Sequence, residues 1–266
     1  MKKQTKTIWY SDPLSDDFAG TDINAPPVPS DYVFVDERPL YKAAAAVVYE
    51  GLVRPLITVY IRLRYRQKFV GLEKLRSLEG GAFVFANHTM HTGDAFIPNM
   101  TDCRRKNYIV TGPDAVGIKG IRTLVKMLGA IPLPSTANGM TAFAAAIERR
   151  YSDGATVTIY PEAHIWPYYT GIRPFRATSF RWPARLGAPV FALTNVFHKK
   201  RFALSRLPRV VSYLDGPFYP DPGLPERRAA QALREQVYAA MTERASLSDY
   251  EYIRYRPIEE KETARD

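Results

Sequence analysis

The segment Phe83-Val-Phe-Ala-Asn-His-Thr-Met-His-Thr-Gly-Asp94 runs an apolar stretch directly into Asn87, His88, His91 and Asp94. A neutral imidazole can take the proton of a hydroxyl as its oxygen attacks an activated carbonyl, and a carboxylate can fix the imidazole tautomer and stabilise the imidazolium. His88 with Asp94 supplies both roles and needs no serine or cysteine nucleophile. His91, three residues from Asp94, shares its face on a helical turn and is the competing base. The bare spacing also fits a structural histidine satisfied by a neighbouring carboxylate. A zinc hydrolase built on His88, His91 and Asp94 would lack the His-Glu-x-x-His pattern, so no metal is expected.

A second apolar run, Ala155 to Tyr160, ends in Tyr160-Pro-Glu-Ala-His164, followed by Trp166, Tyr168 and Tyr169. Proline ends sheet pairing there. A carboxylate at that strand terminus, Glu162, can accept hydrogen bonds from the hydroxyls of an acceptor, and the aromatics can line an acyl or headgroup surface. The alternative is an ordinary ion pair between Glu162 and Arg173 or Arg176.

Short strands alternating with helices must position these residues. Residues 82–86, 108–111, 155–160, 190–195 and 210–214 read as buried strands, and 94–101, 119–128, 138–151, 176–186 and 225–246 as helices. The alternation predicts an α/β layered domain with a mixed, largely parallel sheet flanked by helices, and sites in such folds gather at the carboxyl ends of strands. Residues 1–38 are polar and proline-punctuated, with Pro13, Pro26, Pro27 and Pro29, and read as an extended arm. Trp9, Tyr10, Tyr32 and Phe34 are its apolar exceptions and can pack onto the domain.

Residues 39–66 read as helical, with Pro39 in the first turn and Pro55 kinking or dividing the helix. Tyr60, Arg62, Arg64, Tyr65 and Arg66 close it. An apolar stem ending in tyrosine and arginine suits an in-plane helix docked on an anionic leaflet; the other reading is a core helix with solvated arginines. Glu50, Arg54, Pro55 and Arg62 interrupt the greasy stretch and argue against a simple transmembrane span.

Lys and Arg number 37 against 27 Asp and Glu, a formal charge of +10, which favours an anionic partner: anionic lipid, an acidic carrier protein, a phosphorylated substrate or nucleic acid. No helix-turn-helix, zinc or RNA-binding signature supports specific nucleic-acid binding. The single cysteine, Cys103, excludes an internal disulfide and points to a reducing, cytosol-facing location, and the first residues do not read as a signal peptide. The absence of a Gly-x-Ser-x-Gly elbow disfavours a serine hydrolase.

Asn87-His88 with Asp94, then Tyr160-Pro161-Glu162, then Gly187-Ala-Pro-Val-Phe-Ala192, resemble the successive blocks of the glycerolipid acyltransferases related to lysophosphatidate acyltransferase, over roughly residues 67–215. A looser match falls within Thr111 to Gly120 and Gly129 to Pro134. The resemblance implies a peripheral or monotopic enzyme on the cytoplasmic face of a membrane, working without metal or other cofactor in phospholipid biosynthesis. It would move a fatty acyl group from acyl-CoA or acyl carrier protein to a lysolipid acceptor, 1-acylglycerol-3-phosphate first. The alternatives are an ornithine- or sugar-linked lysolipid, or a catalytically silent lipid-binding member of the fold. His88 becomes the base, Asp94 its orienting partner, Asn87, Glu162, Arg173 and Arg176 substrate-binding residues, and residues 67–266 the acyltransferase domain, covered by the C-terminal helix.

Two departures from the family pattern carry consequences. Five residues rather than four separate His88 from Asp94, an insertion that Gly93 is expected to absorb through the dihedral freedom of glycine. The arginines the family uses for phosphate fall here on Ile165 and about Pro134, which leaves Lys119, Arg122, Arg173, Arg176 and Arg181 as substitutes.

Overall fold

A computed structural model describes residues 5–19, 27–29, 31–117, 122–201 and 205–263. Seven strands form one sheet: β2 (Lys68–Val70), β3 (Ala82–Ala86), β4 (Asn107–Thr111), β5 (Ala130–Pro132), β6 (Thr156–Ile159), β7 (Val190–His198) and β8 (Arg209–Phe218). Their order is β2-β8-β7-β3-β6-β4-β5, and every neighbouring pair is parallel except β7 with β8. The mixed, largely parallel sheet that the alternation predicted is present, with β3 at its centre.

The central strand β3 is apolar at every position because both faces are covered. Since successive side chains alternate, Phe83 and Phe85 enter one core with Val157, Ile159, Val190 and Ala192, while Ala82, Val84 and Ala86 enter the other with Phe191 and Leu193. The first core is closed by α6 (Ala137–Ser152), α7 (Arg181–Leu186) and α8 (Glu226–Ala245), through Phe143, Ile147, Leu233, Val237 and Met241. The second is closed by α2 (Arg54–Tyr65) and α3 (Leu72–Ser77), through Ile61, Tyr65 and Leu75, together with Met90 and Ile97 of the loop after β3.

The segment before the sheet differs from the sequence reading in two ways. A helix runs from Pro39 to Tyr65 without a break: α1 (Pro39–Ala46), a π-helical turn (Val47–Val53) and α2. Proline in a helix lacks the donor and crowds the carbonyl four residues back, and the wider π turn immediately before Pro55 moves that carbonyl aside, so the helix is not divided. The buried positions Ala45, Tyr49, Arg54, Ile61 and Tyr65 keep one face because the step from Tyr49 to Arg54 is five residues across the π turn. Arg54 pairs with Glu50 and donates to the carbonyls of Asp102 and Cys103, which neutralises the two charges in mid-helix. By length and composition this helix is apolar enough to cross a membrane. Leu40, Val47, Leu52, Leu56, Val59 and Leu63 are each more than half exposed along it.

The second difference is at the termini. Residues Lys6–Tyr10 form β1, which pairs in parallel with β9 (Ile253–Pro257) as a separate two-stranded sheet. From there the chain crosses the loop after β6: the Phe18 N–H reaches the Ile165 carbonyl at 3.2 Å, and the Trp166 indole donates to the Asp16 carbonyl at 2.7 Å. Tyr10 packs on Trp166 and Phe34 on Phe143, as expected of the apolar exceptions in this arm. Pro26, Lys119 and the start of the 119–128 helix lie outside the described residues; the helix there is α5 (Arg122–Met127).

Candidate active site

The site begins where β3 runs out. The Asn87 N–H continues the ladder to the Leu193 carbonyl, and its side-chain amide then closes a two-bond clip with the backbone of Asn195, at 3.1 Å to the carbonyl and 2.8 Å from the N–H. The Asn195 side chain accepts from Ser212 at 2.6 Å, and Ser212 accepts from Gln67 at 3.0 Å. All four residues are buried, and this row of linked amides and a hydroxyl, with the Gln67 Oε1 left unpaired at its end, ties β3, β7 and β8 to the residue preceding β2 at the end that presents His88. Asn87 is consumed by this clip and does not line the neighbouring cavity.

His88 is next, and its Nδ1 meets Asp94 Oδ2 at 2.7 Å. A carboxylate only accepts, so the neutral imidazole carries its proton on Nδ1 and keeps Nε2 as the basic nitrogen. The same Oδ2 accepts the Met90 N–H at 2.9 Å. Burial pushes the Asp94 carboxyl above its ordinary value, against the pull of His88 and of the Met90 and Thr89 N–H groups. The five-residue spacing closes through helical turns, with Asp94 N–H to the Met90 carbonyl at 2.9 Å and Ile97 N–H to the Gly93 carbonyl at 2.6 Å. Gly93 does not adopt the left-handed dihedrals expected of it. A Cβ there would lie 2.8 Å from Met90 Cβ and 3.0 Å from Ile97 Cδ1, so glycine is required for close packing rather than for dihedral freedom. His91 is exposed, and its Nε2 lies 2.6 Å from the Ala19 carbonyl rather than on Asp94.

The loop after β6 holds this turn from the other side. Glu162 is buried, and its two oxygens accept the backbone N–H groups of His88 and Arg173, each at 2.8 Å. Trp166 N–H bonds the His88 carbonyl at 3.0 Å and Tyr168 N–H the Thr89 carbonyl at 2.7 Å. Tyr160 stacks on the His88 ring with centroids 4.4 Å apart and donates its hydroxyl to the Asp94 carbonyl at 2.5 Å. Burial, with the Asp94 charge, pushes the Tyr160 phenol well above its ordinary value, which keeps it a donor. Ala163 and Tyr168 bend the loop at φ 65° and 61°, a region that disfavours side chains.

Arg173 is buried to 1% and paired with Glu162 at 3.7 Å. It donates to the carbonyls of His164 and Pro13 and lies 4.9 Å over the Trp166 ring. Burial drives both partners toward neutrality, Glu162 up and Arg173 down, with each as the other's main counterweight. The guanidinium therefore does not reach the cavity that His88 lines. That cavity, about 1050 Å³, also touches Glu162, Tyr160 and Arg176, with Leu133, Met140, Phe175 and Trp182 as apolar walls and Asp12 and Asp114 at its edge. Among the described lining residues Arg176 is the one Lys or Arg, and it is exposed without an ion pair. Arg181 pairs with Glu226 and Arg122 caps the Val116 carbonyl, so neither serves the cavity.

Residues 66–195, which contain His88, Asp94, Tyr160, Glu162, Arg173 and Arg176, match the family model described as Acyltransferase. These residues form an acyltransferase-family domain. Among solved structures, the chain is similar to the crystal structure of the 1-acyl-sn-glycerophosphate (LPA) acyltransferase PlsC from Thermotoga maritima, at 16% identity over 77% of this chain and 93% of that one, with a TM-score of 0.48. No curated protein matches the chain.

Within this acyltransferase the sequence reading missed Tyr160, Trp166 and Tyr168 as the residues that fix the histidine turn. The stacking of Tyr160 had a faint signal, an aromatic residue immediately before the Pro161-Glu162 pair. The backbone bonds of Trp166 and Tyr168 had none.

Proposed function

We propose that this acyltransferase moves a fatty acyl group from the thioester of acyl-CoA or acyl carrier protein to a hydroxyl of a lysolipid. The Nδ1 to Oδ2 contact of 2.7 Å between His88 and Asp94 at the mouth of a large apolar cavity carries the reading. His88 Nε2 takes the acceptor's hydroxyl proton as the oxygen bonds to the thioester carbonyl carbon, and Asp94 stabilises the resulting imidazolium. The tetrahedral adduct collapses with cleavage of the C–S bond, and the departing thiolate receives the proton from His88. No residue of the protein is acylated and no metal is used. The exposed apolar row along the helix Pro39–Tyr65, with Arg62 and Arg64 at its end, supports work at an anionic membrane surface.

The first acceptor to test is 1-acylglycerol-3-phosphate, with Arg176 as the cation for its phosphate. A second reading takes a neutral or amino-bearing headgroup, sugar- or ornithine-linked, because Asp12 and Asp114 at the cavity edge outnumber Arg176. Purified protein with palmitoyl-CoA and a panel of these lysolipids, followed by free thiol release, tests both. Acceptor-dependent release that vanishes in Arg176→Ala for the phosphate acceptor alone favours the first; release only with neutral or amino-bearing acceptors favours the second. No release with any acceptor, with either thioester donor, rejects the transferase reading and leaves a silent lipid binder.

A further inference from the structure

A second cavity, about 400 Å³, lies at the other end of the strands from His88, between α1, the π turn and the amino ends of β4 and β5. Its walls hold Lys106, Lys126, Arg149 and Arg150 among the tyrosines Tyr41, Tyr49 and Tyr108. Lys106 Nζ donates to the Met127 carbonyl at 2.8 Å and sits 5.1 Å from the Tyr49 ring and 5.2 Å from the Tyr108 ring. It has no carboxylate in ion-pair range among the described residues. Arg150 reaches Asp153 only at 3.7 Å, and its buried Nε–H has no hydrogen-bond partner; the buried Tyr41 hydroxyl has none either. The carboxylates that also line the cavity are already paired: Asp36 with Arg38 at 2.7 Å and, at 4.0 Å, with Lys126, Asp153 with Arg149 at 2.9 Å, and Glu50 with Arg54.

Buried donors that lack acceptors are costly. Burial, and then Arg150, pushes the Lys106 ammonium down to about 8. An anion with several oxygen acceptors, seated between Lys106, Arg150 and Tyr41, would satisfy all three at once.

We propose that this cavity binds a phosphate group, carried by an anionic lipid headgroup or present as free phosphate. The helix that roofs the cavity favours the lipid source. Tyr41, Ala45 and Tyr49 face inward, whereas Leu40 and Val47 stand exposed on the opposite face, at 83% and 70%. The site is separate from the His88 cavity and would tether and orient the enzyme on the membrane rather than take part in acyl transfer.

The test uses the full chain with Lys106→Met and, as a charge-matched control, Arg227→Met, an exposed arginine at the start of α8. Binding is measured to vesicles of phosphatidylcholine alone and of four parts phosphatidylcholine to one part phosphatidylglycerol. Thermal stability is measured with and without inorganic phosphate. Lys106→Met is expected to weaken binding to the anionic vesicles by roughly 5- to 10-fold, since one lysine near such a surface contributes ~1 kcal/mol, and Arg227→Met less than 2-fold. Lys106→Met should unfold no earlier than wild type without anion. A loss confined to the vesicle arm identifies the lipid as the source, and loss of a phosphate-induced stabilisation alone identifies free phosphate. Equal losses in the two variants, no loss in either arm, or a Lys106→Met protein already destabilised without anion would each overturn the proposal. Arg150→Gln, expected to repeat the Lys106→Met pattern, guards against a local effect of the methionine.

Discussion

The two ends of the central strands treat buried charge in opposite ways. At the carboxyl ends, Asp94, Glu162 and Arg173 are nearly sealed from water, and each is held by named partners: His88 and the Met90 N–H for Asp94, two backbone N–H groups and Arg173 for Glu162. At the amino ends, around an open cavity, Arg150 keeps a buried Nε–H without an acceptor, and Lys106 has no carboxylate in ion-pair range among the described residues. A catalytic base must be immobile before the substrate arrives, because misplacement of the reacting groups costs rate. A binding site keeps its hydrogen-bonding capacity for the ligand. The ionic groups of one end are therefore paired within the fold, although Asp94 Oδ1 and Arg173 Nε keep no hydrogen-bond partner, whereas Lys106 at the other end faces a cavity with no carboxylate in ion-pair range among the described residues.

The sharpest way to break the catalytic side of this contrast is Asp94→Asn. It keeps the shape and removes the charge that holds the His88 tautomer, so turnover should fall on the order of 10³-fold or more. Because burial raises the Asp94 carboxyl in the folded protein, the folded state binds that proton more tightly than the unfolded chain does. The associated stability is full below the ordinary carboxylate range and is lost as pH rises through the raised value. Asp94→Asn should accordingly leave the melting temperature at neutral pH unchanged or higher while activity collapses.

Glu162→Gln is next in size. It leaves Arg173 buried without its counter-charge, a loss of about 3–5 kcal/mol, which for a chain of this length lowers the melting temperature by roughly 10 °C. Calorimetry that finds the variant as stable as wild type would show that the pair is not a clamp. Asn87→Ala removes the clip to Asn195 and should cost about 1–3 kcal/mol in chemical unfolding, with activity falling because the turn bearing His88 loosens. The smallest expected effect is Ala163→Gly. Relief of the positive φ should leave stability within about 1 kcal/mol of wild type and on the stabilising side, and a larger loss would mean that the Ala163 methyl packs in a way its geometry does not indicate.

Much of this arrangement was legible in the sequence where one local rule decided it. Ala82 to Ala86 had to be a doubly covered strand, and a histidine two residues beyond a strand end had to sit at the edge of the sheet. What escaped depended on partners distant in the chain. β1 and β9 are short, partly polar strands whose pairing joins the two ends of the chain, and neither announces itself alone. Arg173 looked like a headgroup ligand because its type suits phosphate; its pairing with Glu162 was the alternative reading, but its burial under Trp166 is a tertiary fact. Glu162 was read as facing an acceptor, whereas both of its oxygens are taken by backbone N–H groups, a pairing that leaves no trace in residue type. Pro55 was read by propensity, and the π turn that absorbs it was invisible to a 3.6-residue period.

The account stands most directly on the base. Acceptor-dependent thiol release from palmitoyl-CoA should be compared for wild type, His88→Ala and His91→Ala, with melting temperatures measured on the same preparations. The His88–Asp94 geometry predicts a loss of roughly 10²–10⁴-fold in His88→Ala, with the fold retained, and a rate near wild type in His91→Ala. An active His88→Ala protein beside an inactive, folded His91→Ala protein would contradict it.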